Sequence, residues 1–190
     1  IPDNMYGGGQ LRITGNDLLA YIAWEDGFRA HPLTGNYMTD IAFNGVGTVP
    51  ASQGGEAPSN DTLTPVAQAN QHKLKWISHT YSHPYLDNTG SPRCTTVTCV
   101  TNELQKNIAV ANAMGFSQFS LQSLVTPNVS GLKTASTMQA LYNVGVRYVV
   151  SDTSVAGGQN PTPNAGRYNA LQPAILEIPR RPANLFYNVA

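Results

Sequence analysis

Hydrophobic positions along the chain recur in two different periods, which predict alternating helices and strands. From Thr14 to Phe28 the apolar residues follow three- and four-residue steps behind a cluster of capping residues, which predicts a helix that Pro32 stops. Residues 37–47, YMTDIAFNGVG, are then typical of a strand that ends in glycines. The polar stretch 48–60, rich in Pro, Ser, Gly and Asn, predicts a long loop.

The rest of the chain repeats a helix followed by a strand. Asp61 and Thr101 are predicted helix caps, and Gly115 and Gly145 are predicted helix stops, because Gly readily takes the left-handed conformation that ends a helix. The first of these predicted helices covers 61–72 and its strand 74–79, the second 101–115 and 116–125, and the third 134–145 and 146–152. A last strand is predicted over 173–179, after a loop at 153–172. This alternation predicts an α/β fold in which helices cover a mostly parallel sheet or barrel, with functional groups on loops at the carboxyl ends of strands.

Composition limits the kinds of partner. The chain has 190 residues without an internal repeat or a linker, so we predict one domain over residues 1–190. Eleven basic and eleven acidic residues give zero net charge, and only 12% of residues are charged, so we expect no nucleic-acid partner. No run of apolar residues is long enough to predict a membrane span. A neutral polar surface is typical of secreted proteins that handle uncharged polymers.

Cysteine spacing indicates an oxidising compartment, and the start of the chain indicates a piece of a longer precursor. Cys94 and Cys99 lie in RCTTVTC, whereas a zinc knuckle would need two-residue spacing and a second pair, so we expect a disulfide loop formed in an oxidising compartment. Two free buried thiols are the alternative. The opening IPDNMY lacks an initiator Met, a basic segment and an apolar signal core, so we expect Ile1 to lie inside a longer precursor and the domain to be partial.

Two of the four histidines, His79 and His83, stand four residues apart in ISHTYSHPYLDN. At this spacing two imidazoles lie on one side of a helical turn, close enough to bind one divalent metal. The intervening Thr, Tyr and Ser exclude a His-Glu-x-x-His mechanism, because no glutamate is present as the base. A chance pair in an ordinary turn is one alternative. A purely structural zinc site is another, and it would need two more ligands, of which only Asp87 is nearby in sequence.

The longer string HTYSHPYL resembles the second motif of the NodB-type polysaccharide deacetylases, in which His and Ser or Thr precede two variable residues, a second His and Pro. Residues 126–154, with a proline loop, a helix, a glycine turn and a strand ending in aspartate, also follow the order of that family. The segments HTYSHPYLDN, TPNVSGL and IPRRPANLFYNV together are most similar to the galactosaminogalactan deacetylases of the Agd-type group. The resemblance covers nearly the whole chain, and its specific part is the histidine motif.

The resemblance implies metal-dependent N-deacetylation of an extracellular amino-sugar polysaccharide on a distorted (β/α) barrel that would be incomplete in this chain. His79 and His83 take the roles of metal ligands, with zinc as the metal and an aspartate as the third ligand. A polymer containing N-acetylgalactosamine is the favoured substrate, and chitin or the glycan of peptidoglycan is a variant of the same chemistry. The alternative is a non-catalytic carbohydrate-binding relative, because neither an Asp pair nor an acid histidine is visible.

The family's Asp-Asp pair, which includes the general base, is expected upstream of this chain, with Asp3 and Asp26 as candidates within it. WEDG, which contains Asp26, looks like the family's Phe-Asp-Asp-Gly, but it lies inside the periodic helix, where Asp26 would be a solvent-facing charge. Asp152 falls where the family has an orienting aspartate at a strand end, although a strand-end turn residue is an equal alternative. The acid histidine is expected beyond the last residue.

Three residues are candidates for contact with the substrate. Tyr85 follows the histidine motif and would stack on a sugar ring. Asn128 stands near the aromatic position of the family's third motif, whose backbone N–H helps to hold the oxyanion. Arg180 in IPRRP, or its neighbour Arg181, would contact substrate or pair with an active-site carboxylate, with a surface charge as the alternative. Trp76 is assigned to the core, and His31 and His72 are assigned to structure.

Overall fold

The computed structural model describes residues 13–152 and 165–180. The helices in these ranges are α1 (Gly15–Arg29), α2 (Leu63–Ala69), α3 (Val97–Ala113) and α4 (Ala135–Val144). The strands are β1 (Asp40–Phe43), β2 (Lys75–Ser78), β3 (Phe119–Leu124), β4 (Tyr148–Asp152), β5 (Arg167–Tyr168) and β6 (Leu176–Arg180). Helices alternate with parallel strands, so the predicted α/β class is confirmed, and closure into a barrel stays a prediction.

The chain divides into two compact units. The first comprises Ile1–His83 and Glu103–Leu121, and the second comprises Pro84–Asn102 and Gln122–Ala190. The boundaries therefore fall within α3 and within β3. The prediction of one catalytic domain over residues 1–190 stays a prediction. Among the described residues, none of the helices combines the length and the apolar character that a membrane crossing requires.

In the first unit, α1 begins where the capping pattern predicts. The Thr14 hydroxyl accepts a hydrogen bond from the Asp17 N–H at 3.3 Å, and the Asp17 carboxylate accepts one from the Thr14 N–H at 2.7 Å. The Thr14 N–H and the Thr14 hydroxyl both donate to the Asp17 carboxylate, and these two bonds hold its pKa below the ordinary value. Leu18 and Ile22 on the buried face of α1 enter the hydrophobic core, so the three- and four-residue periodicity is confirmed as that of a packed helix.

The core of the first unit lies between its helices and the parallel pair of β1 and β2. The two strands pair from Asp40 with Lys75 to Phe43 with Ser78. Trp76 is fully buried and stacks on Phe116 with ring centroids 4.0 Å apart, which confirms its assignment to the core. Because parallel strands place their carboxyl ends at one edge, the residues that follow β1 and β2 are neighbours there.

In the second unit, β4 pairs in parallel with the end of β3 and with β6. The short strand β5, within the predicted loop 153–172, was missed by sequence reasoning and pairs antiparallel with β6. No local sequence pattern predicts β5, because the contacts that hold it come from another strand. The buried Glu177 carboxylate on β6 accepts hydrogen bonds from Arg167 at 2.7 Å and from Asn169 at 2.6 Å. These charge-assisted bonds hold β5 beside β6.

Two predicted helix boundaries are wrong. Helix α2 ends at Ala69 instead of His72, and residues 71–73 form a separate 3₁₀ turn. Helix α3 begins four residues before the predicted cap at Thr101, because the Thr96 hydroxyl already accepts the Cys99 N–H at 3.2 Å. The disulfide between Cys94 and Cys99 is present, so the first turn of α3 is covalently tied to the segment before it.

Candidate metal centre

The two histidines lie in a short loop directly after β2. His79 is buried, His83 is half-buried, and their ring centroids are 4.7 Å apart with the ring planes at 67°. The loop does not form the predicted helical turn. Instead Thr80 and His83 adopt the left-handed conformation, with φ of 64° and 59°, and this tight turn brings the two rings together. The closeness expected from the four-residue spacing is therefore present, although a different backbone path produces it.

Asn44, the first residue after β1, holds the start of the histidine loop. Its side-chain amide donates hydrogen bonds to the backbone carbonyls of His79 and, at 3.0 Å, of Thr80. The His79 N–H donates to the Phe43 carbonyl at 3.0 Å, which continues the ladder of β1 and β2 by one residue. The backbone of His79 is thus held on both sides of its Cα atom.

Asn107 on α3 ties the ends of β1 and β2 to the helix. Its amide nitrogen donates to the Phe43 carbonyl at 2.8 Å and to the Ser78 hydroxyl at 2.9 Å, and its oxygen accepts the Gly45 N–H at 2.7 Å. A Cβ atom on Gly45 would lie 3.0 Å from that oxygen, so glycine permits the close approach. Every one of these bonds is buried, and each is correspondingly costly to break.

Glu103, also on α3, holds the middle of the histidine loop. Its two carboxylate oxygens accept hydrogen bonds from the Ser82 N–H and from the Ser82 hydroxyl, both at 2.8 Å. One turn later on the helix, the Lys106 ammonium lies 4.6 Å from the centre of the Tyr81 ring. Two of the three side chains between the histidines, those of Tyr81 and Ser82, are therefore anchored to α3.

Sequence reasoning missed these three supporting residues. One signal for Asn107 was available, because it occupies a core position of α3 between Leu104 and Ala111, where an apolar residue would be expected. Asn44 had a weaker signal, its place at the carboxyl end of a predicted strand. For Glu103 the sequence offers no signal, since an acidic residue on a helix is ordinarily solvated.

The geometry of the histidine pair is compatible with two ligand positions of a metal site. A catalytic zinc takes three protein ligands and keeps one position for water, and two neutral imidazoles this close together fit two of those positions. Within residues 13–152 and 165–180, no His, Cys, Asp or Glu side chain joins the pair to make a set of three. The candidate Asp3 lies outside the described residues. The third ligand therefore stays a prediction.

In the second unit, two of the predicted site residues lie together. Asp152, at the end of β4, is directly opposite Arg180 in the parallel pairing with β6. The Arg180 guanidinium donates to the Asp152 carboxylate at 3.3 Å. The sequence suggested that Arg180 pairs with an active-site carboxylate at a strand end, and the role of Asp152 in an active site stays a prediction. Its neighbour Arg181 lies outside the described residues.

Tyr85 and Asn128, the two other candidate substrate contacts, also belong to the second unit. Tyr85 is half-buried, and its backbone forms hydrogen bonds with Pro92 and Cys94 at 2.8 Å. Its ring lies so close over Gly90 that a Cβ atom there would be 2.3 Å from a ring carbon. Asn128 is exposed in a 3₁₀ turn and adopts φ of 51°.

Residues 127–131, which contain Asn128, form a loop that is pinned to residues 86–87. The Ser130 hydroxyl accepts the Leu86 N–H at 2.9 Å, and the Asp87 carboxylate accepts the Gly131 N–H at 2.9 Å. Burial alone would raise the pKa of Asp87, but hydrogen bonds from Thr89 and Gly131 outweigh it and hold this pKa below the ordinary value. Asp87, considered above as a zinc ligand, is thus engaged in supporting this loop.

A family model described as the Agd3 deacetylase domain matches residues 59–189, well over half of the chain. The chain belongs to the Agd3 deacetylase domain family. The crystal structure of Agd3, a carbohydrate deacetylase, matches with a TM-score of 0.73 at 19% sequence identity, which shows a shared fold. The match covers 93% of this chain and 34% of that one, so the chain spans about a third of the length of Agd3. No curated protein matches the chain.

The segment that matches the Agd3 deacetylase domain includes most of the candidate site residues. It contains the histidine pair together with Tyr85, Asn128, Asp152 and Arg180. Asp3 and Asp26 precede it. Asp26 lies on α1, where its carboxylate accepts hydrogen bonds from Lys73 at 2.7 Å and from Arg29 at 2.6 Å. These bonds hold the pKa of Asp26 below its ordinary value, and WEDG forms part of a helix, as its periodicity predicts.

Proposed function

We propose that this protein is a metal-dependent deacetylase that removes N-acetyl groups from an amino-sugar polysaccharide. The observation that carries the proposal is the pair His79 and His83, held 4.7 Å apart at the end of a parallel strand in a member of the Agd3 deacetylase domain family. The support in Asn44, Asn107 and Glu103 favours a preorganised site over an ordinary surface turn.

In this proposal the imidazoles of His79 and His83 hold the metal, and an aspartate is the third ligand. When bound, a zinc ion lowers the pKa of its water and polarises the acetamide carbonyl. Hydrolysis breaks the C–N bond, so that the acetyl carbon gains the hydroxyl group to become acetate and the sugar nitrogen gains a proton. The loop keeps both histidines in place during this exchange, because its backbone is bonded to β1 and to α3.

A polymer containing N-acetylgalactosamine is the substrate we favour, with chitin and the glycan of peptidoglycan as variants. The chain has zero net charge, which suits a neutral glycan better than a polyanion. Tyr85 is the proposed stacking contact, Asn128 a polar contact, and Arg180 a contact that Asp152 orients. The carboxylate of Asp152 limits the directions in which the guanidinium can point.

We also propose that the protein is secreted and that its metal is zinc. The disulfide of Cys94 and Cys99 supports an oxidising compartment, since such bonds are rarely kept in a reducing cytosol. Two imidazoles with a carboxylate form a common ligand set for catalytic zinc.

The test measures metal content and acetate release together on the full-length protein. Three proteins are compared: the parent, the His79→Ala/His83→Ala variant, and a control variant, His31→Ala/His72→Ala, which removes the two exposed histidines instead. Each is incubated with acetylated galactosaminoglycan, chitin oligomers and peptidoglycan glycan. We expect the parent and the control to bind zinc and release acetate, most from the galactosamine polymer, and the first variant to do neither.

Other results would overturn parts of this proposal. Zinc bound by the parent without acetate from any polymer would favour a carbohydrate-binding relative. Acetate release that survives loss of both histidines would refute their role. Equal metal binding by all three proteins would place the metal elsewhere.

A further inference from the structure

We infer that Asn44 is a positioning residue for the histidine pair, one that fixes the direction of both imidazoles through the backbone of the loop. The inference rests on the proposed function, because it assigns Asn44 to the metal site formed by His79 and His83. Asn44 acts through the carbonyls of His79 and Thr80, to both of which its side-chain amide donates hydrogen bonds.

Hydrogen bonds constrain the backbone of His79 on both sides. Its N–H is bonded to the Phe43 carbonyl and its carbonyl is bonded to Asn44, so neither adjoining peptide plane can rotate freely. Side-chain rotamers depend on φ and ψ, so fixing the backbone restricts the directions open to the imidazole. Asn44 is 2% exposed, and water therefore has little access to replace its amide if it is removed.

Thr80 connects Asn44 to His83. Thr80 is a β-branched residue at φ of 64°, a conformation that such residues keep only when their surroundings enforce it. The Asn44 amide bonds to the Thr80 carbonyl, and the Thr80 hydroxyl accepts the His83 N–H at 3.2 Å. Loss of the Asn44 amide would therefore remove a bond that holds Thr80, and through Thr80 it would affect the backbone of His83. Asn44 thus acts on both histidines, alongside Glu103, which holds Ser82 between them.

A second buried asparagine allows an effect on positioning to be distinguished from a general loss of stability. Asn169 in the second unit is a suitable comparison, because it is also buried, at 4% exposure, and also donates to a backbone carbonyl, that of Leu132 at 2.8 Å. Replacing either residue by alanine removes a buried amide of the same size. Only the loss of Asn44 acts on the histidine loop.

The experiment uses the full-length protein and Co²⁺, whose absorption reports its ligands. Asn44→Ala, Asn44→Asp and Asn169→Ala are compared with the parent, well below the unfolding temperature of each. Asn44→Asp keeps the side-chain shape but replaces the amide donor by an oxygen, so it tests positioning without a cavity. We expect both Asn44 variants to bind Co²⁺ about tenfold more weakly, with altered absorption and a kcat that falls more than KM changes.

Asn169→Ala should bind Co²⁺ within about twofold of the parent, even if it unfolds at a similar temperature to Asn44→Ala. Parent-like Co²⁺ affinity and absorption in Asn44→Asp would overturn the inference. Equal weakening in Asn169→Ala would also overturn it, because the effect would then follow stability alone. Failure of the proposed function looks different: His79→Ala/His83→Ala would then bind Co²⁺ as well as the parent does.

Discussion

At the scale of single residues, unusual backbone conformations gather where the family resemblance places function. Among the described residues, the non-glycine positions with positive φ are Thr80, His83, Asn128 and Val129. The first two belong to the histidine loop. The other two belong to the loop 127–131, which the resemblance aligns with the third motif of the polysaccharide deacetylases. Such conformations cost free energy and persist where neighbouring bonds enforce them, as Asn44 does for Thr80. This clustering agrees with functional roles for both loops.

Two substitutions of Asn128 would separate its effect on the backbone from its proposed contact with substrate. Asn128→Ala should lower the free energy of unfolding by about 1 kcal/mol, because alanine tolerates φ of 51° poorly. Asn128→Gly should change it by a few tenths at most, since glycine adopts this conformation readily. Urea unfolding measures both. If Asn128 contacts the sugar, Asn128→Gly should raise KM while stability is kept, whereas an unchanged KM would remove Asn128 from the substrate site.

The lowered pKa of Asp87 predicts that the stability of the folded protein depends on pH. Its pKa in the folded protein lies below the ordinary value of 3.8, so its bonds stabilise the folded state above about pH 3.8 and lose this effect as the pH falls through the lowered pKa. We expect Asp87→Asn to be less stable than the parent at pH 6. The difference should shrink at pH 3 and below, as measured by urea unfolding. A difference that stays constant with pH would mean that the charge of Asp87 contributes nothing.

At the scale of elements, the disulfide of Cys94 and Cys99 stabilises the start of α3. It closes a short loop, for which the chain-entropy estimate is about 2 kcal/mol. We expect a reductant to lower the free energy of unfolding of the parent by about this amount in guanidinium chloride titrations. The Cys94→Ser/Cys99→Ser variant should match the reduced parent and show no response to reductant. A parent that is equally stable with and without reductant would contradict this prediction.

Alanine substitution at two glycines would measure how tightly the loop 127–131 packs against its neighbours. Gly131 and Gly145 both have positive φ, but a Cβ atom on Gly131 would lie 2.7 Å from Leu86 and 2.8 Å from Thr137, whereas one on Gly145 meets nothing within 4 Å. Gly145→Ala should cost about 1 kcal/mol through φ alone. Gly131→Ala should cost about 2 kcal/mol more, because the loop must move. If thermal unfolding showed the same loss of stability for both variants, the loop would be able to move without a cost in free energy.

At the scale of the whole molecule, metal binding should be linked to stability. A ligand that binds only the folded state stabilises it by about 2.7 kcal/mol when its concentration is a hundred times its Kd. We expect zinc to raise the Tm of the full-length parent and a chelator to lower it, and the His31→Ala/His72→Ala control to respond in the same way. The His79→Ala/His83→Ala variant should not respond to either. The same rise in Tm in that variant would place the stabilising metal away from the histidine loop.

Local patterns in the sequence determined much of the secondary structure. The cap at Thr14, the stop at Gly145 and the period of the apolar residues were sufficient to predict α1, α4 and most strands. The histidine motif was sufficient to predict a close imidazole pair and the family. These features depend on residues that are close together along the chain, so they can be read directly from the sequence.

Tertiary structure alone decided how the histidines are held. Asn44 and Asn107 lie 35 and 28 residues from His79 along the chain, and only folding brings β1 and α3 beside the loop. Strand β5 likewise depends on a buried glutamate on another strand. Hydrogen bonds between distant segments leave no periodic trace in a sequence, because either partner alone resembles an ordinary polar residue. The sequence thus determined which groups form the candidate site, and the packing of β1, β2 and α3 decided their geometry.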